Sequence, residues 1–363
     1  MSPVSAQSCQ KVDVTAVKDP KRLGFMFVST DITGPAATQS MLQHFPDVVG
    51  VGCSTGFGPT YDQENFDQFY DHIPQSLATL RPHEKHIDCV GTIGTSLSFT
   101  VGVSKIRNQM QSSVPETTKV CDMATSVFTA AKALRMKKIN ILAAYNTDIT
   151  RRQLVPILEA EGLEISKLNC LELDRDEDVW KVRQDQIQQR LEQLTKESPD
   201  VDGTIICCSV LRVCSPGFID ELERSTGKPI VTSMQAFMWD MLRTVGENKT
   251  IPGYGKLFGE PNNHPVQQAP LQMNSATAFA LFHQESEAEF SHYQSDDESA
   301  FDESEFESFF EHGFGCGSDF VSSNRREVDE KLNEPVNEYR RCTTVQVVRN
   351  SLLEIVASNK LVI

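Results

Sequence analysis

Short apolar runs alternate with longer amphipathic stretches over the first 258 residues of the chain. The apolar runs are rich in Val, Ile, Leu and Phe and are bounded by Gly, Pro, Asp or Ser, which is typical of buried strands. They predict strands at residues 23–29, 48–51, 87–90, 139–145, 165–173, 201–211 and 229–232. Because helical stretches separate these strands, we expect parallel sheets joined by crossover helices.

The amphipathic stretches repeat apolar residues three and four positions apart, as on one face of a helix. They predict helices at residues 65–80, 117–136, 179–197, 218–226 and 233–245, and a further helix that ends at Glu161. Pro74 is expected to kink or interrupt the first helix, and Asp148 or Thr150 to cap the helix that ends at Glu161. The succession predicts an α/β protein with two similar halves that share a cleft.

The character of the sequence changes after residue 258. Residues 284–319 contain 12 Asp or Glu and no Lys or Arg, with Phe residues interleaved. Repulsion between like-charged side chains and a low content of aliphatic residues are typical of disordered segments. We therefore predict a disordered segment at residues 1–21, a folded domain at residues 22–258 and an acidic, largely disordered extension at residues 259–363. The extension is either a solubilising tail or a segment that folds against a protein partner.

Composition and charge exclude several classes of protein. The formal net charge is -16, which argues against nucleic acid because a phosphate-binding face needs clustered Lys and Arg. No run approaches the ~20 apolar residues of a membrane span, and the first residues lack the apolar core of a signal peptide. The ten cysteines form no C-x-x-C motif, which favours free thiols in a reducing compartment. We expect a cytoplasmic protein that binds neither nucleic acid nor a membrane.

Two adjacent cysteines, Cys207 and Cys208, lie in the aliphatic strand predicted at residues 201–211. Ligands of parallel α/β sheets bind at the carboxyl ends of strands, so a thiol there is a candidate proton donor or nucleophile. The pleat of a strand directs the two side chains to opposite faces, and at most one faces a given cleft. The alternative is that both are core residues, because free cysteine packs as a small hydrophobe.

Two other strand ends carry small and hydroxylated residues. Residues 91–99, GTIGTSLSF, follow one strand and lead into a helix, whose first backbone amides would suit an anion. Residues 52–58, GCSTGFG, follow another strand and form a loop that a ligand can approach closely. The second loop lacks the lysine of a phosphate-binding loop, so we do not interpret it as nucleotide-binding.

The sequence contains no recognised metal or cofactor motif. His83 and His86 have the wrong spacing for a helical zinc site of the H-E-x-x-H kind and are interpreted as part of a solvated turn. A G-x-S-x-G elbow, a dinucleotide fingerprint and a Walker loop are absent. We expect chemistry that uses neither an organic cofactor nor a metal.

Four short motifs together resemble the arylmalonate decarboxylases, a family of the aspartate/glutamate/hydantoin racemase superfamily, which also includes maleate isomerase. The motifs are GTSLSF at residues 94–99, LAAY at residues 142–145, DGTIICCS at residues 202–209 and PGYGKLF at residues 252–258. They occur in the family's order and with similar spacing, over about residues 23–258. The resemblance implies two pseudo-symmetric lobes, each a parallel four-stranded sheet flanked by helices, with the active site between them.

The resemblance also implies the residues of the site. Cys208 matches the second-lobe cysteine, whereas Gly94 stands where racemases of the superfamily carry a first-lobe cysteine. The family binds one malonate carboxylate in a ring of hydrogen-bond donors and the other in an apolar pocket. The matching donors are Thr95, Ser96, Tyr145 and the backbone around Cys208 and Ser209. A single thiol delivers a proton to one face only, which suits decarboxylation followed by protonation.

The chain departs from the family at two places. Ser209 replaces the glycine expected after the catalytic cysteine, and residues 174–177, DRDE, replace a stretch that supplies apolar pocket residues in the family. If Arg175 faces the cleft, it would bind a carboxylate. Cys53, in the Gly-rich loop, is a candidate second thiol, and the alternative is a simple loop residue.

We therefore expect a carbon–carbon lyase: a cofactor-independent decarboxylase of a malonate-like or other small carboxylic acid, with Cys208 as proton donor. One alternative is a racemase, cis-trans isomerase or lyase of the same superfamily in which Cys208 is the nucleophile or base. Gly94 argues against a racemase, isomerase or lyase that uses two cysteines. Another alternative is a non-catalytic scaffold whose acidic extension binds a partner.

Overall fold

The structure is a computed structural model, and it describes residues 19–80 and 87–259. All of these residues belong to one compact unit. The predictions for residues 1–18, for His83 and His86, and for the extension beyond Gly259 lie outside the described residues.

The first lobe is built on a four-stranded sheet whose strands are all parallel. Its strands are β1 (Lys21–Val28), β2 (Val48–Thr55), β3 (Cys89–Ile93) and β4 (Lys119–Asp122), in the order β2-β1-β3-β4. Every residue of β3 is buried, as expected for an internal strand with both faces covered.

The second lobe repeats this arrangement. Its strands are β5 (Lys138–Ala143), β6 (Glu164–Cys170), β7 (Gly203–Cys207) and β8 (Ile230–Thr232), in the order β6-β5-β7-β8. All three strand pairs are parallel, and β7 is buried throughout. The prediction of two parallel four-stranded sheets in an α/β fold is confirmed.

Helices connect the strands in both lobes. Those of the first lobe are α1 (Gly34–Leu42), α2 (Gln63–Thr79), α3 (Thr95–Val101), α4 (Val103–Ser112) and α5 (Met123–Ala133). A helical segment after β5 comprises α6 (Thr147–Ile149), a π-helical turn (Thr150–Leu154) and α7 (Val155–Ala160). The remaining helices are α8 (Asp176–Val179), α9 (Gln184–Glu197), α10 (Phe218–Thr226), α11 (Ser233–Thr244) and α12 (Gly255–Gly259).

The helices α5 and α11, which follow the last strand of each sheet, pack together and join the lobes. The hydroxyl of Ser126 in α5 donates a hydrogen bond to Asp240 Oδ2 in α11 at 2.8 Å, and both side chains are buried. Phe237 of α11 packs so closely on β3 that a Cβ atom on Gly91 would lie 2.5 Å from its Cζ. The close packing of α11 on β3 therefore depends on the absence of a Cβ atom at Gly91.

The prediction of a helix over residues 117–136 is wrong at its start. Residues 119–122 form β4, and α5 begins only at Met123. The Asp122 side chain accepts a hydrogen bond from Thr125 N at 2.9 Å and so caps α5 directly after the strand. Because strand and helix meet without a turn, the apolar spacing continues across the boundary and conceals it.

The predicted breaks and caps of two helical segments also differ from the structure. The helix α2 continues through Pro74, so the proline does not interrupt it. Asn146, and neither Asp148 nor Thr150, caps the segment after β5, because its Oδ1 accepts a hydrogen bond from Ile149 N at 2.8 Å. Asn is as good an N-cap as Asp, and it lies one residue before the helix.

Two other predicted boundaries are wrong. The helix predicted at residues 179–197 begins only at Gln184. Val179 is instead the last residue of the short helix α8. The strand β2 continues to Thr55, into the Gly-rich stretch that we predicted to be a loop. None of the helices in the two described ranges could form a membrane span.

We expect Gly91→Ala to lower the free energy of unfolding by about 1–3 kcal/mol, because the added methyl group overpacks the contact with Phe237. Urea denaturation measures the effect. Gly56→Ala is the matched control, since a Cβ atom at Gly56 meets nothing within 4 Å. Equal stability of the two variants would show that the interface between β3 and α11 tolerates the methyl group.

Candidate active site

The two sheets place Gly94 and Cys208 at equivalent positions. The strands β3 and β7 occupy the same place in the order of their sheets. Gly94 is the residue after β3, and Cys208 is the residue after β7. The pseudo-symmetry of the lobes therefore pairs one thiol with one glycine.

The ends of these strands open into a small pocket. Six of its lining residues are the ones that the sequence predicted: Gly94, Thr95, Ser96, Tyr145, Cys208 and Ser209. The others are Val28, Phe57, Tyr61, Leu97, Asp176 and Val210. The cavity volume is about 10 Å³, which is room for about one water molecule. Any larger ligand requires the pocket to widen.

Cys208 has a strained backbone and a buried thiol. Its φ angle is +124°, which residues other than glycine rarely adopt, and strain of this kind costs about 1–3 kcal/mol. Burial, together with the charge of Asp176, raises the pKa of the Cys208 thiol to about 12. Hydrogen bonds from the Val210 amide and the Tyr145 hydroxyl favour the thiolate and limit the rise in pKa. The thiol is therefore neutral near pH 7.

The hydroxyl of Ser233, the first residue of α11, holds the two halves of the pocket together. Its Oγ accepts a hydrogen bond from Thr95 Oγ1 at 2.8 Å and another from Cys208 N at 3.2 Å. It donates its own proton to the carbonyl oxygen of Ile206 at 3.5 Å. Ser233 is fully buried and was not predicted as a site residue. It fixes Thr95 of the first lobe and the strained peptide of Cys208 in the second.

Tyr145 provides a protonated phenol beside the thiol. Its ring packs edge-on against Tyr61 and Phe99, with centroid distances of 5.3 and 5.6 Å. Burial, followed by the charge of Cys208, raises the pKa of Tyr145 well above its usual value. The hydroxyl group therefore keeps its proton and remains a hydrogen-bond donor.

Asp176, the first residue of α8, lies in the pocket wall and was missed by the sequence reasoning. It is 5% exposed. Its Oδ2 accepts a hydrogen bond from Thr30 Oγ1 at 2.5 Å, and its Oδ1 accepts one from the Tyr61 hydroxyl. Burial raises the pKa of Asp176, although the two hydrogen bonds oppose the rise. The acidic run at residues 174–177 was the available signal, but it did not show which side chain faces inward.

Two residues that the sequence offered as candidates lie elsewhere. Arg175 is not among the lining residues: its side chain is half exposed, and its Nη2 lies 3.3 Å from Glu177 Oε2. Cys53 lies in β2 and does not line the pocket. Burial raises the pKa of the Cys53 thiol to about 11. The conditional role of Arg175 as a carboxylate ligand therefore finds no support.

The polar groups of the pocket are hydroxyls, two phenols, backbone amides, a thiol and one carboxyl group. No Lys, Arg or His is among the described residues that line it. In the described part of the chain, no cluster of three or more His, Cys, Asp or Glu side chains could hold a metal ion. An anion in this pocket would have to be bound by neutral donors.

Known proteins are similar to this chain in sequence. The sequence profile of the arylmalonate decarboxylase family matches residues 50–258. Arylmalonate decarboxylase from Bordetella bronchiseptica is 28% identical over 222 residues, which cover 60% of this chain and 88% of that enzyme. Maleate isomerase from Nocardia farcinica is 26% identical over 127 residues, which cover 35% of this chain and 49% of that enzyme.

Solved structures share the fold. A liganded double mutant of arylmalonate decarboxylase aligns with a TM-score of 0.57 and 23% identity, over 66% of this chain and 98% of that one. Nocardia farcinica maleate cis-trans isomerase with a covalently bound succinylcysteine intermediate aligns with a TM-score of 0.57 and 18% identity, over 66% and 98% of the chains. Because the family profile spans more than half of the sequence, the chain belongs to the arylmalonate decarboxylase family of the aspartate/glutamate racemase superfamily.

Proposed function

We propose that the protein is a cofactor-independent decarboxylase of a malonate-like or other small carboxylic acid, with Cys208 as the proton donor. The observation that carries the proposal is the neutral, buried thiol of Cys208 in a pocket lined by hydroxyl and amide donors. Membership of the arylmalonate decarboxylase family supports the same reaction.

The reaction begins with cleavage of a carbon–carbon bond. The bond between the central carbon and the leaving carboxylate breaks, carbon dioxide departs, and the electron pair passes into the retained carboxylate as an enediolate. The thiol proton of Cys208 then moves to the central carbon, which leaves a thiolate. Solvent returns a proton to the sulfur and completes the cycle.

The donors around the pocket stabilise the enediolate. They are the hydroxyls of Ser96, Tyr145 and Ser209 and the first backbone amides of α3, whereas the Thr95 hydroxyl donates its single proton to Ser233 Oγ. Each donor that is preorganised toward developing negative charge contributes about 3–4 kcal/mol in oxyanion holes. Ser233 acts as a positioning residue, because it holds Thr95 and the Cys208 peptide in place.

The raised pKa of Cys208 suits a proton donor. A thiol with a pKa of about 12 keeps its proton near pH 7 and still protonates a carbanion, which is far more basic. It is a poor nucleophile, because the thiolate is the reactive form. With Gly94 at the equivalent position of the other lobe, the site offers no second thiol there, so protonation reaches one face of the intermediate.

A second candidate function is isomerisation or elimination, as in other members of the superfamily. One observation favours it: Asp176 lines the same pocket as Cys208, so two groups there can exchange protons. In that reaction Asp176 would remove a proton and Cys208 would return one. Turnover of a small acid without release of carbon dioxide would favour this candidate.

Carbon dioxide release from phenylmalonate and methylmalonate tests the decarboxylase directly. We expect release by the wild-type protein and a loss of about 10²–10⁴-fold in Cys208→Ala, because positioned proton transfer contributes about this much. Cys207→Ala is the matched control: its thiol is adjacent and buried but does not line the pocket. Undiminished release by the Cys208 variant would contradict the role of this thiol.

The protonation state of Cys208 has its own test. We expect the rate of its alkylation by iodoacetamide to rise about tenfold per pH unit from pH 7 to 10, because only the thiolate reacts and the pKa lies near 12. Peptide mass spectrometry follows the modified residue, and N-acetylcysteine, whose rate levels off at lower pH, is the reference. A plateau below pH 8 at Cys208 would mean that the site holds a thiolate.

A further inference from the structure

Two hydrogen bonds hold the carboxyl group of Asp176 in the pocket wall. It is 5% exposed and is fixed from two loops of the first lobe, by Thr30 after β1 and Tyr61 after β2. Both carboxyl oxygens accept a hydrogen bond, which is the pattern of an ionised carboxylate. An ionised carboxylate has about four acceptor sites, so two received hydrogen bonds leave its charge only partly compensated.

A second acid adds negative charge near this wall. Asp31 is 4% exposed, and its Oδ1 accepts hydrogen bonds from the amides of Thr33 and Gly34. Its Oδ2 has no hydrogen-bond partner among the described residues. The charge of Asp31 acts on both Asp176 and Cys208. Since no Lys, Arg or His is among the described lining residues, nothing cationic in the lining offsets these charges.

We assign the lining residues to two sides of the pocket by the elements that carry them. The side formed by α3 and by the residues after β7 presents donors, and the retained carboxylate of the proposed reaction occupies it. The side that remains is formed by Val28, Phe57, Tyr61 and Asp176. The leaving carboxylate of a malonate must lie on this second side, next to a fixed negative charge.

On the basis of the proposed decarboxylation, we propose that Asp176 is a further catalytic residue. Its carboxylate repels the leaving carboxylate, and the repulsion ends when carbon dioxide departs. The substrate enters with two negative charges and leaves the bond-breaking step as neutral carbon dioxide and a dianionic enediolate held at the donors. The charge beside Asp176 is thus lost in that step. Asp176 raises the energy of the bound substrate more than that of the transition state.

Binding of a matched pair of acids tests the repulsion without catalysis. Methylmalonate and propionate differ by one carboxylate, and the Cys208→Ala background removes the proton donor. In this background we expect Asp176→Asn to bind methylmalonate at least about tenfold more tightly and to bind propionate within about twofold of the parent, by titration calorimetry.

Two kinds of control separate charge from geometry. Glu177→Gln removes an equal charge from an exposed neighbour and should leave both affinities unchanged. Tyr61→Phe and Thr30→Val each remove one hydrogen bond to Asp176 but keep its charge. Neither should produce the preferential gain for the dicarboxylate.

Steady-state kinetics of Asp176→Asn with Cys208 present provides an independent readout. We expect both kcat and KM to fall, each by about tenfold, because removal of ground-state strain tightens substrate binding and slows the chemical step. A rise in KM, or weaker binding of methylmalonate, would mean that Asp176 attracts the substrate and would overturn the proposal. An equal gain for propionate would also overturn it.

The two proposals fail in different ways. If no malonate releases carbon dioxide but Asp176→Asn still tightens methylmalonate binding selectively, the decarboxylase is wrong and the repulsion is right. If carbon dioxide is released but the variant shows no selective gain in affinity, the decarboxylase is right and Asp176 has no repulsive role.

Discussion

The hydroxyl of Ser233 connects the two lobes at the place where the pocket is built. It accepts hydrogen bonds from Thr95 at the start of α3 and from the peptide of Cys208 after β7. Without a buried acceptor at this point, the Cys208 amide would be unsatisfied, at a cost of about 1–3 kcal/mol, and the Thr95 hydroxyl would keep only its contact with the Met123 sulfur at 3.2 Å. The φ angle of +124° at Cys208 is maintained against its strain by this hydrogen bond and by the packing of α11.

The two lobes are pseudo-symmetric, but they place different residues at the pocket. The two sheets have the same strand order, so the loops after β3 and β7 converge. The residues at their ends differ: one side supplies Gly94 and a helix start, the other a thiol. Asp176 adds a second asymmetry, because it is the only carboxyl group among the described residues that line the pocket. The lining thus combines several neutral donors with one acidic group.

The sequence was sufficient to predict the architecture, and the six candidate site residues lie together around one pocket. The ends of the strands can be predicted because buried aliphatic runs stop at glycine and hydroxylated residues, as after Ile93 and Cys207. The four motifs added the identity of the thiol and of Tyr145. The strand β4 was not predicted, because it is four residues long and continues directly into α5.

Ser233 and Asp176 could not be predicted for a different reason. Each acts through partners far away in the sequence: Ser233 through Thr95, and Asp176 through Thr30 and Tyr61. A serine at a helix start is indistinguishable from an ordinary N-terminal residue. In the run at residues 174–177, only the fold shows that Asp176 turns inward while Arg175 remains half exposed.

Proton delivery from one side by a single thiol is the central claim, and the configuration of the product tests it most directly. Decarboxylation of methylphenylmalonate in D2O creates a stereocentre at the protonated carbon. The account predicts 2-phenylpropionate with one deuterium at that carbon and a single configuration, measured by chiral chromatography and mass spectrometry. Equal amounts of the two enantiomers, formed by the enzyme itself, would show that protons reach both faces and would contradict the claim.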